Sequence, residues 1–262
     1  MTRQEMASYL IDRLLCEMPE YSGEAKSFGR DDKSQRRLLR SLMNVRPPLP
    51  LKSEFIAVQD ELLSIERDER GIVDAEALEP CRKDGRIALW RGDITRLRAG
   101  AIVNAANSAL LGCFVPCHGC IDNAIHSAAG LQLRDECNRL IKGGETGRAI
   151  ATGAYNLPCS YVFHTVGPIV EGSVTDADRR QLASCYKECM GLAAKLRLSS
   201  IAFCCISTGE FMFPRDEAAD IAVFEVTRAL DSGIDIKVVF DVFKEEDYEL
   251  YKHLLGQGEA AE

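Results

Sequence analysis

Residues 102–130 have the sequence I-V-N-A-A-N-S-A-L-L-G-C-F-V-P-C-H-G-C-I-D-N-A-I-H-S-A-A-G. The stretch begins as an apolar strand and ends with the apolar spacing of a helix. Between these ends lie two side-chain amides, three cysteines and a histidine, and an aspartate opens the predicted helix. A strand, a polar loop and a helix in direct succession predict one unit of an α/β fold, with reactive side chains where the loop leaves the strand.

Short apolar runs alternate with helix-like segments along the chain beyond residue 81. This alternation predicts an α/β sandwich with a parallel or mixed sheet. Ligands bind such sheets in loops at the carboxyl ends of the strands, so we expect loops 92–95, 104–122 and 207–214 to form the site. The predicted strands cover residues 87–90, 101–103, 161–165, 200–205 and 237–242, and the predicted helices cover residues 121–129, 131–140, 179–196, 215–231 and 245–254.

A small helical extension is predicted before the α/β unit. Apolar residues recur at helical spacing in residues 7–18, 36–45 and 54–66. We therefore expect a helical extension over residues 1–70 and an α/β domain over residues 75–262. The simpler interpretation of the extension is a cap that buries its apolar stripe on a neighbour and carries no chemistry.

The composition disfavours several classes of protein. The chain has no apolar run of about 18 residues, and its N-terminus lacks the basic and apolar regions of a secretory signal. A cytoplasmic protein without a membrane segment is therefore expected. Eleven cysteines without such a signal favour reduced thiols over disulfides. Those in apolar surroundings are expected to be small core residues: Cys137, Cys185, Cys189, Cys204 and Cys205.

The net charge of −8 is unevenly distributed. Residues 1–50 hold 9 Lys and Arg against 7 Asp and Glu, which leaves 23 against 33, or −10, for the rest of the chain. So acidic a body would repel a nucleic-acid backbone, and we expect no nucleic-acid partner. A small anionic ligand held by backbone N–H groups stays compatible with this charge.

A candidate metal site lies in the middle of the 102–130 stretch. Cys113, His118 and Cys120 form a C-x4-H-x-C array, and thiolate with imidazole is a ligand set that suits Zn²⁺. Three protein ligands leave the fourth tetrahedral position open, whereas Cys117 as a fourth ligand would close the site into a structural one. We favour three ligands, because adjacent residues in a short loop rarely both turn inward. The alternative without a metal is a group of unrelated thiols and an imidazole.

The polar residues around this array each have two interpretations. Asn104 and Asn107 follow a strand and either turn the backbone or bind sugar hydroxyls. Asp122 either interacts with the dipole of the predicted helix or orients a water and accepts a proton. His126, one turn further along, is expected to pack as a helix residue rather than to bind a metal.

The loop at residues 206–214 connects a predicted strand to a predicted helix. Its small residues Ser207, Thr208 and Gly209 would let backbone N–H groups approach a phosphate closely. The loop lacks the Gly-Lys-Ser/Thr signature of a P-loop. Taken alone, it would be an ordinary strand-to-helix connection.

Four motifs occur in a fixed order: G-D-I-T at residues 92–95, I-V-N-A-A-N-S at 102–108, D-N-A-I-H-S-A-A-G at 122–130 and I-S-T-G-E-F-M-F-P at 206–214. Together they resemble the macrodomain family, whose members bind ADP-ribose, over about residues 75–255. The resemblance implies a three-layer α/β/α fold with a mixed central sheet. Where ordinary macrodomain hydrolases carry a run of glycines, this chain has G-C-F-V-P-C-H-G-C, which resembles the zinc-dependent branch of microbial protein ADP-ribose hydrolases.

The resemblance implies a role for each motif. It places the adenine at Asp93 and Ile94 and the distal ribose at Asn104 and Asn107. Asp122 matches the catalytic acidic residue of the family, and Asn107 would assist it by positioning the sugar.

The resemblance also implies the ligands of the metal and of the diphosphate. The zinc ligands would be Cys113, His118 and Cys120, with Cys117 outside the set. Met212 departs from the glycine that is common at its position, a difference that bears on the tightness and mobility of the diphosphate loop. The backbone amides that would wrap the diphosphate are those of Ser207, Thr208, Gly209, Glu210, Phe211 and Met212.

The expected function is zinc-dependent hydrolysis of the N- or O-glycosidic bond between mono-ADP-ribose and a protein side chain. Two alternatives use the same pocket: a reader module that binds ADP-ribose without turnover, and a deacetylase of O-acetyl-ADP-ribose. Members of the zinc-dependent branch that this chain resembles often work with a sirtuin-like transferase and a lipoyl-carrier protein. A modified lipoyl-carrier protein is therefore an implied partner, although no residue of this chain encodes it.

Overall fold

The computed structural model describes residues 1–140 and 143–256. Its strands are β1 (Val73–Asp74), β2 (Ile87–Arg91), β3 (Leu97–Arg98), β4 (Ala101–Ala105), β5 (Ala149–Gly153), β6 (Tyr161–Thr165), β7 (Ser200–Phe203) and β8 (Lys237–Val242). Its α-helices are α1 (Arg3–Glu17), α2 (Ser22–Ala25), α3 (Asp32–Val45), α4 (Ser53–Arg70), α5 (Ile121–Ala129), α6 (Leu131–Leu140), α7 (Asp176–Lys195), α8 (Arg215–Asp231) and α9 (Glu245–Leu254).

A mixed six-stranded sheet forms the centre of the α/β unit, in the order β2-β8-β7-β4-β6-β5. Neighbouring strands are parallel except β5, which runs antiparallel to β6. The interior strands β4, β7 and β8 are buried along nearly their whole length, as expected for strands covered on both faces. Helices flank the sheet: α7, α8 and α9 pack in succession, and α5 packs on β4 and α6. The predicted α/β/α fold with a mixed sheet is confirmed.

The predicted elements of the α/β unit are present, but several of their bounds differ. Strand β2 ends at Arg91 instead of residue 90, and helix α7 ends at Lys195 instead of residue 196. Helix α7 begins at Asp176 rather than at residue 179, because Thr175 and Asp178 form a capping box at its start. Strand β7 ends at Phe203, two residues earlier than predicted. Strand β4 continues to Ala105, so Asn104 lies within a strand and not in the loop after it.

Strand β5 was not among the predicted strands. It lies at the edge of the sheet, and its sequence A-I-A-T-G is mostly half-buried. A short edge strand that contains alanine and ends in glycine lacks the run of large β-branched residues from which interior strands are predicted.

The N-terminal extension forms its predicted helices α1, α3 and α4. Helix α3 begins at Asp32, four residues before the apolar pattern, because Asp31 caps it by accepting a hydrogen bond of 3.0 Å from the Ser34 amide. The three helices share an apolar cluster that also includes Leu131 of α6. The extension therefore packs on the α/β unit through α6. That residues 1–70 and 75–262 are separate domains stays a prediction.

All eleven cysteines are free thiols. Four of the five predicted core cysteines are buried, and Cys205 is half-buried. Within residues 1–140 and 143–256, no helix combines the length and apolar character that crossing a membrane requires.

Candidate functional site

Asp122 is held between two side-chain amides at the start of α5. Asn104 Nδ2 donates to Asp122 Oδ1 over 2.8 Å, and Asn107 Nδ2 donates to Asp122 Oδ2 over 3.1 Å. Asn107 is fixed in turn, because its Nδ2 also donates to the Gly112 carbonyl and its Oδ1 accepts from the Ala109 amide. The carboxylate therefore has a defined orientation at the carboxyl end of β4.

The surroundings of Asp122 make it an unusual carboxyl group. It is only 4% exposed, and this burial raises its pKa to about 6, while the Asn104 hydrogen bond and the charge of Arg134 act in the opposite direction. His126 Nε2 lies 3.5 Å from Asp122 Oδ1. Asn104 is fully buried, and among the described residues its Oδ1 has no hydrogen-bond partner.

The three predicted metal ligands come together beside this carboxylate. Their ligand atoms in Cys113, His118 and Cys120 all lie within 4.8 Å of one another. His118 Nδ1 is buried and has no hydrogen-bond partner in the part of the chain that the structure describes. Burial raises the pKa of the Cys120 thiol to about 12, and the neighbouring Cys113 adds to this effect. Two adjacent thiols and an unpartnered imidazole nitrogen fit a divalent cation, whose charge would stabilise both thiolates.

Cys117 does not belong to this group. Its Sγ lies 3.3 Å from Ser41 Oγ on α3, and its backbone has a positive φ of 51°. The left-handed turn points Cys117 toward the extension, whereas the following His118 belongs to the ligand group. Cys117 therefore lies outside the group of three side chains, and a metal held by those three stays a prediction.

The loop at residues 206–214 has the form of an anion cradle. Ser207 and Met212 both have positive φ, at 64° and 57°. Within the described part of the chain, the backbone amides of Thr208, Gly209 and Glu210 donate no hydrogen bond to another residue. Glu210 Oε1 lies 3.7 Å from His118 Nε2, so this loop borders the ligand group. Free amides in a tight turn are suited to a phosphate.

Asp93 and Ile94 lie just after β2, an edge strand of the sheet, on the side where the parallel strands have their carboxyl ends. Asp93 is 40% exposed at its side chain and accepts hydrogen bonds from the Thr95 amide and hydroxyl. Ile94 is 1% exposed and belongs to the core. Arg70, the last residue of α4, reaches Asp93 Oδ2 over 3.4 Å. The adenine contacts of this pair stay a prediction.

Comparison with known proteins agrees with this geometry. The Macro domain family matches residues 103–222. A protein-ADP-ribose hydrolase of Treponema medium is 48% identical over 264 residues, which cover 98% of this chain and 100% of that protein. A protein-ADP-ribose hydrolase of Staphylococcus aureus (strain Mu50 / ATCC 700699) is 46% identical over 84% of each chain. The chain belongs to the macrodomain family.

Solved macrodomain structures have the same fold. The Trypanosoma brucei macrodomain in complex with ADP-ribose is 34% identical, with a TM-score of 0.66 over 82% of this chain and 95% of that one. The Oceanobacillus iheyensis macrodomain with ADP is 36% identical, with a TM-score of 0.60 over 65% of this chain and 90% of that one. Both matches leave part of this chain uncovered.

Two groups of residues near the macrodomain site were not predicted from the sequence. His126, Cys137 and His164 form a buried cluster behind Asp122, with His164 Nδ1 3.1 Å from Asn104 Nδ2. Arg134 is only 3% exposed. It joins the extension to the loop that carries Cys113, His118 and Cys120, called the ligand loop below. The apolar runs around His126 and His164 indicated burial but not that the two rings meet, because 38 residues separate them along the chain.

Proposed function

We propose that this macrodomain is a protein-ADP-ribose hydrolase that releases mono-ADP-ribose from modified side chains and holds zinc at Cys113, His118 and Cys120. The observation that carries the proposal is the position of the Asp122 carboxylate. Two neutral amides fix it beside a loop that gathers two thiols and an imidazole. The relatives at 46–48% identity, both named protein-ADP-ribose hydrolase, support the same reaction.

The cleft would hold ADP-ribose along the carboxyl ends of the strands. Asp93 and Ile94 would border the adenine, and the free amides of residues 208–210 would bind the diphosphate. Asn107 is half-buried and would meet the distal ribose directly. Asn104 has no exposed surface, so it would act on the ribose by orienting Asp122.

The reaction joins a water oxygen to C1 of the distal ribose while the bond from C1 to the protein side chain breaks. Positive charge develops on the ribose ring, so the cleft must hold the sugar and admit one water to the correct face. Asp122 would take a proton from that water at a carboxylate oxygen and then give it to the released side-chain atom, so that the hydroxyl ends on C1 and the proton on the leaving group. Zinc, when bound, would supply a Lewis acid for a ribose hydroxyl or a water.

The proposal extends to the setting of the enzyme. The substrate class is a mono-ADP-ribosylated protein, and the family resemblance favours a lipoyl-carrier protein modified by a sirtuin-like transferase. A cytoplasmic location is proposed with it, since a reducing compartment would keep the eleven free thiols reduced.

Release of label from a mono-ADP-ribosylated carrier protein tests the function. The wild-type protein should release free ADP-ribose and contain about one zinc per chain by elemental analysis. Cys120→Ala should lose both zinc and turnover, while its affinity for ADP-ribose falls by less than about tenfold. Cys16→Ala, at an exposed thiol on α1, is the matched control.

Two results would contradict the proposal. Full turnover by a metal-free Cys120→Ala protein would remove the role of zinc. Tight ADP-ribose binding by the wild type without any release of label would show a reader module instead of an enzyme.

A further inference from the structure

Helix α3 of the extension makes direct polar contacts with the loop that carries the metal ligands. The Cys117 amide donates to Asn44 Oδ1 over 2.9 Å, and Asn44 Nδ2 donates to Ser127 Oγ over 3.0 Å. Asn44 is 2% exposed. Ser127 of α5 engages the Nδ2 donor of Asn44, and this orients the Oδ1 acceptor of Asn44 toward the backbone amide of Cys117.

The Cys117 thiol is held on the same side. Its Sγ lies 3.3 Å from Ser41 Oγ and 3.6 Å from the Arg37 carbonyl, both on α3. The positive φ at Cys117 is uncommon for a residue other than glycine. The turn therefore depends on its surroundings, and α3 provides the contacts that stabilise it.

Two arginines fasten the rest of the loop to α3 and its C-terminal end. Arg134 donates to the Leu111 carbonyl over 2.6 Å and to the Asn44 carbonyl over 2.8 Å. Arg40 of α3 donates to Asn123 Oδ1 over 2.7 Å, and Asn123 Nδ2 donates to the carbonyl of Val115 over 3.0 Å. The loop is thus anchored at Leu111 and Val115, ahead of Cys117, and at Cys117 itself.

We propose that α3 keeps the metal site open by holding Cys117 out of the ligand set. This inference rests on the proposed function, since it concerns a metal at Cys113, His118 and Cys120. Cys117 is three residues from Cys120, a spacing common in four-ligand zinc sites. Once released from α3, its thiolate would take the fourth position, and neither water nor substrate could then bind the metal.

Cys117 has two alternatives, to stay on α3 or to bind the metal, and the Asn44 hydrogen bond favours the first. A neutral hydrogen bond shifts such an equilibrium by only about fivefold, and the Asn44 contact is the one that α3 makes with the Cys117 backbone amide. Loss of the Asn44 acceptor would leave the left-handed turn without its backbone partner. The extension is therefore more than a cap: it determines how many thiolates the metal receives.

The number of sulfur ligands, measured by zinc X-ray absorption, tests this inference. The wild-type protein should show two sulfurs. Asn44→Ala should show a third sulfur and lose about tenfold or more in turnover, with ADP-ribose affinity changed by less than about threefold. The double variant Asn44→Ala/Cys117→Ser should return to two sulfurs and recover turnover, a rescue that a merely structural defect would not show.

A second variant tests the same inference without substituting a buried residue. Ser41→Asp places a carboxylate beside the Cys117 thiol, should expel it from α3, and should give the same third sulfur. Cys117→Ser alone should keep two sulfurs and wild-type turnover. Two sulfurs with unchanged turnover in both Asn44→Ala and Ser41→Asp would overturn the inference, as would a turnover defect that Cys117→Ser does not rescue.

The wild-type protein separates this inference from the proposed function. If it binds no zinc or releases no ADP-ribose, the proposed function fails. If it hydrolyses the modified protein with three sulfurs on the metal, the proposed function survives and only the role of α3 is contradicted.

Discussion

The side-chain amide of Asn104 donates to Asp122 Oδ1 over 2.8 Å and so connects the end of β4 to the start of α5. Asn107 completes the arrangement at the other carboxylate oxygen. The direct partners that hold Asp122 are therefore neutral amides, which fix its orientation without forming an ion pair. We therefore expect this carboxylate to serve the proposed reaction rather than fold stability.

Asp122→Asn should separate binding from turnover. The substitution keeps the shape of the side chain and one of its two amide partners, but it removes the group proposed to take the proton. We expect turnover of a mono-ADP-ribosylated protein to fall by about 10²–10⁴, and ADP-ribose affinity in calorimetry to change by less than about threefold. Asp176→Asn, at an exposed carboxylate of α7, is the control. Retention of half the wild-type rate would contradict the role of Asp122.

Gly209→Val should weaken ADP-ribose binding without loss of stability. A Cβ at Gly209 meets no protein atom within 4 Å, and the φ of this residue is not positive. The added side chain would therefore project into the space above the free amides and exclude the diphosphate. We expect a loss of about tenfold or more in affinity, which corresponds to about 1.4 kcal/mol, with an unchanged melting temperature.

Gly85→Val is the matched control for this substitution, since Gly85 also has open space around its Cβ and lies outside the site. Wild-type affinity in Gly209→Val would show that the loop does not bind the diphosphate. A lowered melting temperature would show that the loop is packed more tightly than the structure indicates.

The sequence predicted those parts of the fold that depend on local patterns. Strands β6 and β8 and helices α5, α6, α8 and α9 have the predicted ends, because apolar periodicity and capping act over a few residues. The ligand group was also predictable, since Cys113, His118 and Cys120 lie within eight residues of chain.

Contacts between distant segments were not predictable. Arg134 lies in a helix whose sequence shows an ordinary charged residue, yet it is buried against carbonyls 88–91 residues away. Asn44 and Cys117 are 73 residues apart. The sequence alone consequently favours a cap for the extension, because only the tertiary fold shows that α3 reaches the loop that carries Cys117.

Arg134→Met should destabilise the protein strongly. The guanidinium donates to the carbonyls of Leu111, Met43, Asn44 and Arg46. It also lies over the Phe114 ring at 4.2 Å. Methionine would keep part of the packing but leave these carbonyls without their donor. We expect the free energy of unfolding to fall by about 3–5 kcal/mol in urea denaturation.

Arg139→Met provides the comparison for this effect, because Arg139 lies on the same helix with a side chain that is 65% exposed. Its loss should change the free energy of unfolding by less than about 0.5 kcal/mol. Equal effects of the two substitutions would show that the extension is not fastened through Arg134.

His164 should make the stability of the protein depend on pH. Burial lowers the pKa of His164 to about 4, from an ordinary value of 6.5. Above pH 6.5 the ring is neutral in both the folded and the unfolded chain, so proton binding at His164 does not lower the free energy of unfolding there. As the pH falls from 6.5 to 4, only the unfolded chain takes up the proton, and the free energy of unfolding should decrease by about 3 kcal/mol.

Comparison of the wild type with His164→Gln isolates this contribution from its neighbours. His126, whose pKa is also lowered by burial, acts in the same direction, while Asp122, whose pKa is raised to about 6, acts in the opposite one. Glutamine can still contact Asn104 and Thr152, the polar neighbours of the ring, but it does not titrate. Urea unfolding at pH 7 and pH 5 should therefore show a smaller loss of stability in the variant than in the wild type. An identical loss in both proteins would mean that His164 is not buried as a neutral ring.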